Sequence, residues 1–252
     1  MSEVILFVFE GEKTEVKLAS SLLKFYSSKK NKIIVSTFKT DIYYLFSKLK
    51  EDEDLDAFSI VKERDSSLND YHRDDFSQMY LFFDYDAHVP NSSNEKIKEL
   101  LNFFSEETDK GKLFISYPMI ESMKCISDLS NDDLFFDLKY NISSFSDFKK
   151  FVHGYACKSL IDFNGYTNEV WNRVINLHCV KSNIIANDNN AFPTKEITQI
   201  EIFDNQLKKH IDIRNEVSVI GSFPLMLMDY YGANQMYSII SGEKIVDNTL
   251  LS

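Results

Sequence analysis

Residues Val4 to Glu15 read VILFVFEGEKTE, six apolar residues that stop on Glu10, Gly11 and Glu12. A run that is short, β-branched and aromatic, and apolar at both alternating positions, predicts a strand covered on both faces. That is the condition of a central strand in a parallel sheet. Glu12 to Ser28 follows with Val16, Ala19, Leu22, Leu23 and Tyr26 at three- and four-residue steps, the spacing of a one-sided helix. Lys32 to Phe38 (KIIVSTF) predicts a second strand, and Asp41 suits the N-cap of a helix through Lys50. The acidic run EDEDLD, Glu51 to Asp56, reads as a solvated loop or helix end.

Met79 to Phe83 (MYLFF) predicts a third strand, ended by DYDAH. Asn94 to Glu106 follows as a helix with Ile97, Leu100, Leu101 and Phe104 on one face. Lys112 to Ser116 (KLFIS) predicts a fourth strand that runs into YPMIESMKC, where Pro118 suits the first turn of a helix. Strands and helices alternate, which predicts an α/β fold with a mostly parallel sheet flanked by helices and right-handed crossovers. Beyond about residue 126 the pattern turns mainly helical, over Ser146 to Ile161, Asn168 to Ile185, Ile197 to Ile211 and Ser222 to Gly232. The expected organisation is a Rossmann-like unit over 1–125 and a mainly helical region over 126–252.

Composition narrows the class. The 252 residues are 44% hydrophobic with four prolines, an ordinary globular balance rather than a disordered one. The net charge of −11 argues against a broad, non-specific grip on nucleic acid, although a local basic strip is compatible with it. Cys125, Cys157 and Cys179 are odd in number and widely spaced, which fits neither a disulfide framework nor a zinc knuckle and suggests a reduced, cytoplasmic setting. The leading apolar run is too short to span a membrane and lacks the flanks of a signal peptide.

In an open parallel sheet, ligands bind beyond the carboxyl ends of the strands. The predicted strands put Glu10, Asp84, Asp86 and Ser116 at that edge, with Glu121 a few residues on. Asp84 and Asp86 are two apart and share one face of an extended segment. Gathered carboxylates repel one another unless a cation intervenes, and oxygen-only ligands favour Mg²⁺ or Mn²⁺. Gly11 permits a sharp turn and a close approach, and the next helix offers its positive N-terminal end to a phosphate.

This layout resembles the Toprim domain of topoisomerases, primases and certain nucleases. The resemblance is carried by EGEKTE at 10–15, DYD at 84–86 and the order of elements between them, over roughly residues 1–125. EG-x-x-T-E followed by DxD and then SYPMIE at 116–121 is similar above all to the RloB-like proteins. It is similar also to the OLD-family Toprim nucleases and to effectors of anti-phage defence.

The resemblance implies that Glu10 acts as metal ligand or general acid/base and that Asp84 and Asp86 are metal ligands. Glu15, five residues after Glu10 where the OLD pattern has four, would help hold a second ion with Ser116 and Glu121. Lys124, one turn past Glu121, would stabilise a transition-state phosphate. Two Mg²⁺ or Mn²⁺ ions bracketing a phosphodiester would activate water and stabilise the leaving oxygen. The implied substrate is DNA or RNA, tRNA included, in an anti-phage or abortive-infection system. The chain carries no GxxxxGK[ST] loop, so the ATPase that relatives work with would be a separate partner.

Other readings of these residues stand beside this one. A DxD that ends a strand also serves as a turn or helix cap. His88 reads as an exposed loop histidine or a catalytic one, and His153, His178 and Cys179 read as helix packing. LMLMDYYG, at 225–232, reads as a core helix or a homodimer contact. The competing function is a non-catalytic binding module that docks a partner through the helical half. A primase-type nucleotidyl transferase ranks behind both, because no clear basic cluster for a triphosphate is present.

Overall fold

The computed structural model describes residues 3–26, 31–85 and 93–242. Asp86 and His88, both singled out in the sequence, lie outside the described residues. The chain opens as β1 (Glu3–Phe9), α1 (Thr14–Tyr26), β2 (Asn31–Thr37), α2 (Ile42–Glu51), α3 (Ala57–Arg64) and β3 (Gln78–Asp84). It continues with α4 (Asn94–Phe103), β4 (Ser105–Glu106), β5 (Gly111–Ser116), a 3-10 turn over Ile120–Lys124, α5 (Asp132–Phe136), β6 (Lys139–Asn141) and α6 (Phe148–Tyr155). α7 (Asn168–Asn187), α8 (Gln199–Gln206), α9 (Asp212–Arg214), β7 (Glu216–Ser218), α10 (Phe223–Tyr231) and α11 (Ala233–Ser241) complete it.

The main sheet has the order β2-β1-β3-β5-β4. β1, β2, β3 and β5 are parallel, and the two-residue β4 is the antiparallel edge. The fold is thus α/β around a mostly parallel five-stranded sheet. β1 lies inside it between β2 and β3, and Ile5 to Phe9 are each at most 3% exposed. This is the burial on both faces that the unbroken apolar run requires.

Alternation along the strands lays an aromatic ladder on one face. Phe82 stacks on Phe9 at 5.0 Å, and Phe223 of α10 stacks on Phe82 at 4.2 Å and on Phe9 at 5.4 Å. The C-terminal region therefore supplies a helix that covers the sheet. One apolar core runs from Ile5 through Trp171 of α7 to Met236 of α11.

Several local expectations change. The helix expected to run to Glu106 stops at Phe103. Phe104 is buried with non-helical dihedrals, and its carbonyl accepts from Leu113 N at 2.9 Å, which turns the chain into β4. Pro118 does not open a helix. Tyr117 and Ile220 exchange backbone hydrogen bonds of 2.8 and 2.9 Å, which hold the chain extended, and a 3-10 turn starts only at Ile120. α3 is unanticipated, with Asp56 as its N-cap accepting from Ser59 N at 2.9 Å. The short β6–β7 pair adds a second small sheet to the helical region. Among the described residues no helix is long and apolar enough to cross a membrane.

Candidate active site

β2 lies on one side of β1 and β3 on the other, so the direction of winding reverses between β1 and β3. The crevice beyond the carboxyl ends of these two strands is the switch point at which open α/β sheets bind ligands. β1 delivers Glu10 there and β3 delivers Asp84. Asp84 N donates to Glu10 Oε2 at 3.1 Å, tying the two strand ends together through one carboxylate. Asp84 Oδ1 accepts from Ile120 N at 2.9 Å, so the 3-10 turn after β5 folds over Asp84 and brings Glu121 with it.

Glu15 arrives from the first turn of α1. Its carboxylate bends back over Gly11, where an added Cβ would collide with it, and the backbone N–H groups of Glu15 and Thr14 favour its charged form. Gly11 is thus needed for close approach, as its place after the strand suggests, but the space is taken by Glu15. The positive end of α1 already faces a carboxylate.

The electrostatics follow from crowding. Burial pushes the Asp84 carboxyl well above the usual carboxylate range, and Glu10, Glu121 and Glu15 push it further. Burial also raises Glu15, helped by Glu121 and opposed by its backbone donors and Lys149. Glu121 is 8% exposed. Its Oε2 is buried without a hydrogen-bond partner, and its Oε1 lies 3.6 Å from Lys149 Nζ. A buried carboxylate oxygen with no partner is costly, and the cost is removed by a proton or a cation.

Glu10, Glu15 and Glu121 thus act on Asp84, and Glu121 acts on Glu15. Among the described residues no three acidic, His or Cys side chains form a group that could hold an ion, and Asp86 lies outside that set. The donors gathered are all carboxylate oxygens, one of them orphaned, a chemistry that fits a hard divalent cation.

Two expected members sit differently. Ser116 is buried, its hydroxyl 2.9 Å from that of Ser222 and accepting from Ser222 N at 3.2 Å. It stands beside Asp84 in the sheet register but is committed to the start of α10. Lys124 Nζ lies 4.4 Å from the centre of the Phe163 ring, and burial lowers its pKa despite Glu121 and Asp162.

Sequence reasoning missed Lys149, which comes from α6 and alone among described basic side chains makes an ion pair with Glu121. Its only signal is the pair Lys149–Lys150 on an amphipathic helix. Lys39, also missed, leaves β2 at φ 62°, donates its N–H to Glu10 O at 3.0 Å, and pairs its exposed ammonium with Glu12 at 2.5 Å. His178 is fully buried: its Nδ1 accepts from Gly221 N at 3.0 Å, and burial pushes its pKa down to about 3. It is a core histidine, and Cys179 beside it is equally buried.

Comparisons with protein-family models, with curated proteins and with solved structures each return no match.

Proposed function

We propose that the chain is a divalent-metal-dependent nuclease of Toprim type that hydrolyses phosphodiester bonds in DNA or RNA. The observation that carries this reading is the junction of Glu10 and Asp84 at the switch point, with Glu15 and Glu121 pressing on Asp84. Glu10, Glu15, Asp84, Asp86 and Glu121 are the residues that would hold two Mg²⁺ or Mn²⁺ ions. Once bound, such ions supply Lewis-acid stabilisation of a phosphate and a water acidic enough to attack it. Glu10 is aimed by the Asp84 N–H, and Asp84 by the Ile120 N–H, so both carboxylates are positioned by backbone rather than by flexible side chains. Asp84 holds its proton to unusually high pH while its neighbours are uncompensated, and it yields that proton to incoming positive charge. Ser116 serves by fastening the start of α10 beneath the site.

The same resemblance assigns the nuclease to anti-phage or abortive-infection defence under a separate partner ATPase. Cleavage of RNA or DNA in Mn²⁺ should disappear in Glu10→Ala and Asp84→Ala. Full activity in either variant refutes the mechanism. A second reading, a Toprim-like module that binds a partner through its helical half, is favoured by one observation. The Ser116 hydroxyl and the Lys124 ammonium, both expected at the reaction centre, are engaged with Ser222 and Phe163. On that reading Glu10→Ala leaves function intact, and changes on the exposed faces of α6 and α7 abolish it.

A further inference from the structure

Glu121 is the member of the carboxylate cluster whose ionic partner comes from the helical region. Lys149 Nζ lies 3.6 Å from its Oε1, while Oε2 is buried without a partner. The two ends of this pair differ. The Glu121 side chain is 10% exposed and the Lys149 side chain 68%. Glu121 is fixed by its neighbours on either side. Ile120 N donates to Asp84 Oδ1 at 2.9 Å, and the Ser122 hydroxyl donates to Tyr117 O at 2.7 Å. Lys149 is fixed at its root, where Phe148 and Val152 of α6 are buried with Cys125, the residue that ends the 3-10 turn. Beyond that root a flexible four-carbon stem carries the ammonium to the carboxylate.

This geometry decides what Lys149 supplies. A charge-assisted hydrogen bond that orients a carboxylate spans about 2.7–2.9 Å. At 3.6 Å the ammonium adds charge and little direction, and the carboxylate it serves is already aimed. The charge also reaches Glu15, whose ionised form Lys149 favours. Lys124, in the same turn as Glu121, lays its ammonium over the Phe163 ring instead. An ion ligated by either Glu121 oxygen would therefore face the Lys149 ammonium across one carboxylate, and like charges at such range repel. An ion pair with one end in solvent is weak, so the lysine is the partner that yields.

We propose that Lys149 is a tethered counter-ion of the site: it offsets the charge of Glu121 in the metal-free chain, competes with a divalent ion for that carboxylate, and so sets the concentration at which the site loads. The helical region thereby acts on the metal site through α6. The inference deepens the proposed function and rests on its metal site, not on cleavage.

The test is calorimetric titration of Mn²⁺ into the full chain and into Lys149→Met, which keeps the stem and removes the charge. The variant binds Mn²⁺ more tightly by roughly 5-fold or more, the scale of a coupling between two ligands. Lys149→Arg keeps the charge and does not tighten binding. Lys150→Met removes an exposed lysine of the same helix and leaves the affinity unchanged, because the effect belongs to position rather than to net charge. Stability reports the same competition. In EDTA, Lys149→Met melts at or below the wild-type midpoint, because buried Glu121 has lost its counter-ion. Saturating Mn²⁺ then raises its midpoint by more than it raises that of the wild type.

Equal Mn²⁺ affinity in wild type and folded Lys149→Met overturns the inference and leaves the metal site standing. Weaker binding in Lys149→Met also overturns it, since a lysine that helps the ion is an orienting residue. Equal tightening in Lys150→Met overturns it by assigning the effect to net charge. Absence of Mn²⁺ binding in the wild type removes the metal site and the inference together. Tighter binding in Lys149→Met, with no cleavage by either protein, leaves the counter-ion standing and removes the nuclease.

Discussion

Phe223→Ala tests whether the C-terminal region is part of the body that holds the site. The Phe223 ring is 0% exposed and stacks on Phe82 at 4.2 Å and on Phe9 at 5.4 Å, on the strands that end in Asp84 and Glu10. Removing a buried phenyl ring costs about 3–5 kcal/mol, through lost transfer energy, the cavity left behind and the aromatic pairs. Against a total stability of about 5–15 kcal/mol that is a large fraction. For a chain of this size, about 2–4 °C per kcal/mol predicts a midpoint lower by roughly 6–20 °C. Thermal and urea unfolding followed by circular dichroism reads this, with Phe25→Ala as control, because Phe25 is 41% exposed and its loss should cost under about 0.5 kcal/mol. One cooperative transition shifted by that amount is expected. A shift below about 1 kcal/mol, or a separate transition for the sheet that ignores the substitution, refutes the claim of a shared core.

Other outcomes follow from the site. In EDTA, the Asp84 contribution to apo stability falls as pH rises above about 3.8, the ordinary Asp value, through its raised folded value. Over that range the folded state keeps a proton that the unfolded state has released. Asp84→Asn lacks this part of the slope and melts higher than wild type near neutral pH, and an unchanged pH profile contradicts the crowding described. Gly11→Ala drives the Glu15 carboxylate off its place over the turn, so it should lower Mn²⁺ affinity to the same extent as Glu15→Gln while shifting the melting midpoint little. Unequal losses measured by calorimetry would separate the two residues. Ser222→Ala removes one of the two partners of the buried Ser116 hydroxyl and keeps the Ser222 N–H, so it should cost about 0.5–1.5 kcal/mol in urea unfolding.

The parts of the fold legible in the sequence are those set by local periodicity. Val4 to Phe9 reads as a strand covered on both faces, and parallel pairing then puts Glu10 and Asp84 on one edge. Asp41 caps its helix as short-range chemistry dictates. What was not legible depends on partners far along the chain. Pro118 fails to open a helix because Tyr117 is bridged to Ile220, more than one hundred residues away. Ser116 turns to Ser222 and Lys124 to Phe163 for the same kind of reason. Lys149 meets Glu121 only because α6 packs beside the 3-10 turn, and β6 and β7, three residues each, are too short to show an alternating pattern.

Calorimetric titration of Mn²⁺ into the full chain, beside an Asp84→Asn/Asp86→Asn variant shown to be folded, tests the central claim most directly. The account predicts saturable binding to the wild type and a loss of affinity of roughly 10-fold or more in the variant, as expected when carboxylate ligands are removed. Indistinguishable isotherms from two folded proteins would contradict the metal site and, with it, the nuclease.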